Sequence, residues 1–283
     1  MSRTDIAVAA DGGGGRARLT ITTDGPRGRG HLGARVLAHA PGSARVALVA
    51  EGALLLAGDD VTVGIRVGHG MRLDVVEPSG TVAYDMRGGT AQWTVHICLE
   101  PEAVLSWQGQ TFVISAGADV TRDVRIDLGT GSVAVLRETL VLGRTGEQAG
   151  ALTQRTRVSL EGEPLLAEDL ILDTSASRVG VLGRTRVVDT VSVLGRRAPG
   201  IPAPVPGSHR LELDGPGTLV RSLSEEAHAA SLAPVWAAMA GVGASLAGSR
   251  RATGQPASDK QPSGHALPGE QRGTPPATSR ADG

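Results

Sequence analysis

VTRDVRIDLGTGSVAVLRETLVL, residues 120 to 142, decides the fold. Val120, Val124, Ile126 and Leu128 fall on one side of an extended chain, with Thr121, Asp123, Arg125 and Asp127 on the other. This is the period-two alternation of a β-strand. Gly-Thr-Gly at 129–131 breaks the run, and the following stretch resumes it. Outward along the chain the same pattern recurs. VTVGIRV (61–67) aligns Val61, Val63, Ile65 and Val67, and WTVHICL (93–99) aligns Trp93, Val95, Ile97 and Leu99. The breaks GHG, EPSG, RGG, PEA, AGA and GTG lie roughly ten residues apart, which favours stacked sheets, a barrel or a solenoid over alternating α/β units. The expected architecture is mainly β, an elongated stacked-sheet or helical body of about 15–17 strands.

The pattern changes after residue 221. SLSE (222–225) fits a capping box, Pro234 suits the first turn of a helix, and Val235, Met239, Val242 and Leu246 share one helical face. Two short C-terminal helices are expected over about 222–247. Residues 1–15 and 248–283 offer little to bury and are expected to be disordered. The globular domain is thus placed at 16–247, with IPAPVPG (201–207) as an extended loop within it.

Composition restricts the function. The formal net charge of −1 gives no global attraction to nucleic acid or an anionic membrane. Lys260 is the sole lysine, and a coding bias explains the arginine excess without phosphate recognition. One cysteine, Cys98, excludes an internal disulfide and a multi-cysteine zinc site within one chain. The uncharged stretch 229–248 is rich in Ala, Gly and Ser and contains Pro234, which fits a soluble helix pair better than a membrane span. The first residues lack the continuous apolar run of a signal peptide, so the expected location is cytoplasmic.

No nucleotide loop or nucleophile elbow is present in the sequence. VLGR occurs at 141–144, 181–184 and 193–196, without the constant period of a repeat array. His96 and Cys98 lie two apart on one strand face and form a weak metal-ligand pair, for which a plain polar sheet face is the favoured account. The carboxylates are more informative. Glu138 shares its side of a strand with Leu136 and Leu140, and Glu168 shares its side with Leu166 and Leu170. An ionised carboxylate among leucines needs a partner or water. Two compensations stay open: an internal salt bridge to Arg122, Arg137 or Arg144, or a polar cavity in the β body. A metal-dependent or carboxylate acid–base hydrolase built on Glu138, Glu168 and Asp59 is the alternative function, but a glycosidase normally needs aromatic platforms and this chain has five aromatic residues.

Residues 51–86, 108–147 and 162–173 resemble, in that order, the urease accessory proteins called UreD or UreH, and the likeness spans roughly residues 17–245. Its marks are Ala57-Gly58-Asp59, Thr81 to Tyr84, the Gly-Arg-x-x-Gly-Glu signature at Gly143, Arg144, Gly146 and Glu147, and the late Trp236. The resemblance implies a non-enzymatic chaperone of nickel insertion. It would bridge UreF and UreG to apo-urease and pass nickel along a polar tunnel, with no tightly bound cofactor. Asp59, Glu138 and Glu168 then become transit candidates. Val235, Trp236, Met239 and Val242 become candidates for contact with UreF. A dimer of the accessory complex is a further assembly the resemblance allows.

Overall fold

The computed structural model describes residues 1–11, 17–25, 30–173, 175–198, 200 and 207–240. The IPAPVPG stretch to residue 206, Val242, Leu246 and the 248–283 tail lie outside the described residues.

Within that range the alternation produces two sheets packed face to face. One holds β1 (Ser2–Ala10), β2 (Ala17–Asp24), β5 (Asp60–Val67), β8 (Ala91–Leu99), β10 (Asp119–Leu128), β12 (Ala151–Leu160) and β13 (Glu163–Leu172), in the order β13-β12-β10-β8-β5-β1-β2. The other holds β3 (His31–Ala40), β4 (Ser43–Glu51), β6 (Arg72–Val76), β9 (Val104–Ile114), β11 (Val133–Leu142), β14 (Val187–Leu194), β15 (Ser208–Glu212) and β16 (Gly217–Ser224), in the order β15-β16-β14-β11-β9-β6-β4-β3. The short β7 (Thr81–Ala83) also pairs with β9.

The central strands form a coil. β5, β8, β10 and β12 are parallel neighbours in the first sheet, and β4, β6, β9 and β11 are parallel neighbours in the second. The chain therefore passes from one sheet to the other at each tight turn and advances one strand per circuit. The sequence breaks GHG, PEA and GTG are stacked corners of this coil. Gly70 N–H donates to Pro101 O at 3.0 Å, and Glu102 N–H donates to Thr130 O at 2.9 Å. Such bonds satisfy corner amides that no ladder reaches.

The inward faces carry the core expected from the alternation: Val61, Val63, Ile65 and Val67 on β5, and Trp93, Val95, Ile97 and Leu99 on β8, are all buried. A smaller cluster lies on the outer face of the second sheet. There Val133, Val135, Val191, Val193 and Val220 are covered by Leu232, Val235, Trp236 and Met239.

Three expectations need correction. Residues 2–10 are the strand β1 and not disordered, because Thr4, Ile6 and Val8 alternate inward and β1 pairs in parallel with the open edge of β5. Ser222 and Glu225 form no capping box: Ser222 is a buried residue of β16, and α2 (Ala227–Ala230) begins at Glu226 without a side-chain cap. Helix is also not confined to the C-terminal region, since α1 (Ser175–Leu182) connects β13 to β14. The second C-terminal helix is present over 233–240 with Pro234 in its first turn. Among the described residues no helix is long and apolar enough to cross a membrane.

Candidate functional site: a charged lumen between the sheets

Between the two inner faces, on the side towards β13 and β16, lies a cavity of about 120 Å³. Its walls are largely apolar, with Trp93, Phe112, Leu136 and Leu166 among them, yet charged residues line it: Glu77, Arg122, Arg137, Glu138, Glu168 and Arg221. The two glutamates marked by their leucine neighbours thus share one cavity, and each has an arginine partner in it.

Glu138 reaches inward from β11. Arg122 Nη1, from β10 in the opposite sheet, lies 2.6 Å from Glu138 Oε1. Gln154 on β12 closes a ring by accepting from Arg122 Nη1 at 2.7 Å and donating Nε2–H to Glu138 Oε2 at 2.9 Å. The Arg122 guanidinium also stacks 4.2 Å from the Phe112 ring centroid, a cation–π contact that strengthens with desolvation. Phe112 is held edge-on by Trp93, with centroids 5.4 Å apart. Arg122 is only 6% exposed, and its buried Nε finds no acceptor among the described residues.

Glu168 reaches inward from β13. Arg221 on β16 grips it with two parallel bonds, Nη1 to Oε1 at 2.6 Å and Nη2 to Oε2 at 2.9 Å, while its Nε–H donates to Thr190 Oγ1 at 3.1 Å. This pair again ties one sheet to the other. Hydrogen bonding from Arg221 holds the Glu168 carboxyl below its ordinary range, outweighing the desolvation that pushes it up.

Glu77 follows β6 and is placed by a bulge. Gln108 faces Arg137 and Thr111 faces Thr139, so Gly109 and Gln110 together lie opposite Glu138. Gly109 is required there, because a Cβ would sit 2.6 Å from the backbone oxygen of Arg137. The bulge lets Gln110 N–H donate to Glu77 Oε2 at 3.1 Å, and Trp107 Nε1–H donates to Oε1 at 2.9 Å. Burial raises the Glu77 carboxyl above its ordinary value, opposed by these hydrogen bonds and by the charge of Arg122.

The remaining sequence candidates lie elsewhere. Asp59 is buried in a turn, where Oδ2 accepts from Leu56 N–H at 2.9 Å, and it is absent from the lining of the lumen. Gly58 precedes it at φ +77°, and Tyr84 sits nearby with its N–H donated to Leu55 O at 3.3 Å. The Gly-Arg-x-x-Gly-Glu signature is a turn after β11. Arg144 and Glu147 pair at 2.9 Å, and hydrogen bonding from Arg144 lowers the Glu147 carboxyl. Arg186 Nη2 gathers the turn's carbonyls from below, donating to Gly143 O at 3.1 Å and Arg144 O at 2.6 Å. Gly146 takes φ +79° in the same turn.

His96 is exposed and Cys98 half-buried on the outer face of the first sheet, and no group of three His, Cys, Asp or Glu side chains suited to a metal occurs among the described residues. Val235, Trp236 and Met239 are buried within the chain itself, packed on the second sheet, so they are not a free contact surface.

Sequence reasoning missed Glu77, Arg221 and Gln154, and left Arg122 as one salt-bridge candidate among three. A signal existed for two of them: Arg122 has the same parity as Val120 and Val124, and Arg221 the same parity as Leu219. An arginine in phase with the apolar face is the visible counterpart of a glutamate in phase with leucines. Glu77 had no such signal, because its position depends on a bulge in a distant strand.

The fold and site define a β-coil scaffold whose interior carries paired charges. A sequence model described as UreD urease accessory protein matches residues 28–254. Urease accessory protein UreD 1 of Streptomyces griseus is 47% identical over 187 residues, covering 65% of this chain and 72% of that protein. UreD of Streptomyces coelicolor is 29% identical over 237 residues, covering 78% and 89% respectively. UreD 1 of Saccharopolyspora erythraea is 33% identical over 195 residues, covering 68% and 76%. The chain belongs to the UreD urease accessory protein family, and it is an accessory protein, not an enzyme.

Proposed function

We propose that this protein serves nickel insertion into apo-urease in the cytoplasm, joining UreF and UreG to urease and passing nickel through its charged lumen as cargo. The observation that carries the reading is the convergence of Glu138 and Glu168 on one inter-sheet cavity within a chain of this family. Carboxylate oxygens suit a hard or borderline divalent cation, and a site of few ligands holds it weakly enough for onward transfer. The same carboxylates lie 33% and 34% exposed at the side chain, within reach of an ion moving through water. The hydrolase alternative is set aside by membership of an accessory family.

Partner contact belongs to surfaces other than the apolar stripe of 235–239, which the chain buries itself. The test is co-expression of the urease subunits and partner accessory proteins with and without this chain. Urease purified without it is expected to carry background nickel and little activity. With it, nickel rises, and the chain co-purifies with UreF. Full nickel loading in its absence would end the proposal.

A further inference from the structure

The lumen carboxylates that would receive a cation already hold one each. Arg122 occupies Glu138 and Arg221 occupies Glu168, both by bonds as short as 2.6 Å across the gap between sheets. Each arginine is tethered to the strand that delivers it, Arg122 to β10 and Arg221 to β16. We propose that Arg122 and Arg221 are built-in competitor cations: a divalent ion advances along the lumen by displacing each guanidinium from its glutamate, and the arginine returns when the ion moves on. This rests on the conduit reading above.

Charge and geometry support the exchange. A divalent ion carries twice the charge of guanidinium and is compact enough to draw both carboxylate oxygens, so it competes effectively while present. A tethered competitor lowers net affinity and assists release, because the carboxylate never has to stand ionised and unpaired among leucines. The displaced arginines have places to go. Arg122 keeps the Phe112 face and the Gln154 carbonyl, and its buried Nε has hydrogen-bonding capacity unused by any described residue. Arg221 keeps Thr190 Oγ1. Along the strand order the exchange runs from the β13–β16 side at Glu168 to β11 at Glu138. It then reaches Glu77, whose oxygens are held by Trp107 and Gln110 N–H groups instead of a guanidinium.

The competition predicts a gain of function that a purely structural ion pair would not give. Equilibrium dialysis of the full chain against nickel chloride measures it. Arg221→Gln is expected to bind nickel about two- to fivefold more tightly than the parent, the range set by the strength of a partly exposed ion pair. Adding Glu168→Gln to that variant returns affinity to the parental level or below. Arg221→Lys, which keeps the charge but loses the two-pronged grip, gives a smaller gain and guards against failure of the glutamine variant to fold. Folded Arg221→Gln and Arg221→Lys proteins with parental or weaker affinity would overturn the proposal. Urease nickel loading separates the two readings. If loading is indifferent to Glu138 and Glu168, the conduit itself fails. If loading needs them but the arginine variants do not tighten nickel, only the competitor role fails.

Discussion

Glu168 remains ionised among leucines because Arg221 supplies two hydrogen bonds and a positive charge across the sheet gap. A carboxylate lowered in the folded state stabilises the fold above its unfolded value, about 4.3, and that contribution is lost as pH falls through the folded value. Denaturant titrations at pH 6, 5, 4 and 3 should therefore show the parent's advantage over Glu168→Gln shrinking below about pH 4. An advantage that grows with acid would contradict the assignment. Asp189 is the more costly residue to remove. It is fully buried, pairs with Arg137 at 2.8 Å, and accepts from Thr139 Oγ1 at 3.1 Å and from Leu232 N–H at 2.8 Å. Asp189→Ala leaves Arg137 without its charge partner under the C-terminal segment, and a loss of about 3–5 kcal/mol in denaturant stability is expected.

At the scale of elements, the bulge in β9 connects backbone geometry to the lumen. Gly109→Ala would place a Cβ 2.6 Å from Arg137 O, and backbone cannot yield as a flexible side chain can. The expected cost is about 1–3 kcal/mol, read in denaturant midpoint, with a change in Trp107 emission as its bond to Glu77 is disturbed. The Gly143 turn is restricted in two ways: its φ of +82° strains any L side chain, and an added Cβ meets Glu147 O at 2.8 Å. Which elements were legible in the sequence follows from the same physics. β5 and β8 present one clean apolar face, so alternation located them and their inward residues. β1 has short polar residues, Ser2 and Thr4, at inward positions, which hides the apolar alternation that marks β5 and β8. The 222–225 stretch has a capping pattern, but β16 holds Ser222 in a ladder with β14, and pairing across strands outweighs a local capping preference. Glu138 and Glu168 stood out because their neighbours are leucines. Their arginine partners are 16 and 53 residues away, and only the coil brings them near.

For the whole molecule, the C-terminal segment closes the outer face of the second sheet, opposite the face that lines the inter-sheet cavity. Trp236 is 8% exposed in the outer cluster, and Trp236→Ala should cost about 3–5 kcal/mol in denaturant stability. A Trp236→Ala protein of parental stability that had lost only partner binding would show that this segment is an interface instead. The lumen variants should behave in the opposite way, altering transfer and sparing assembly. The most direct measurement is the nickel content of urease matured with the Glu138→Gln/Glu168→Gln protein, alongside the yield of the complex between that protein and its partners. The account predicts a normal yield of complex and urease nickel reduced by about tenfold or more, the loss of two charged ligands along one path. Urease loaded to the parental level by an assembled double variant would contradict it.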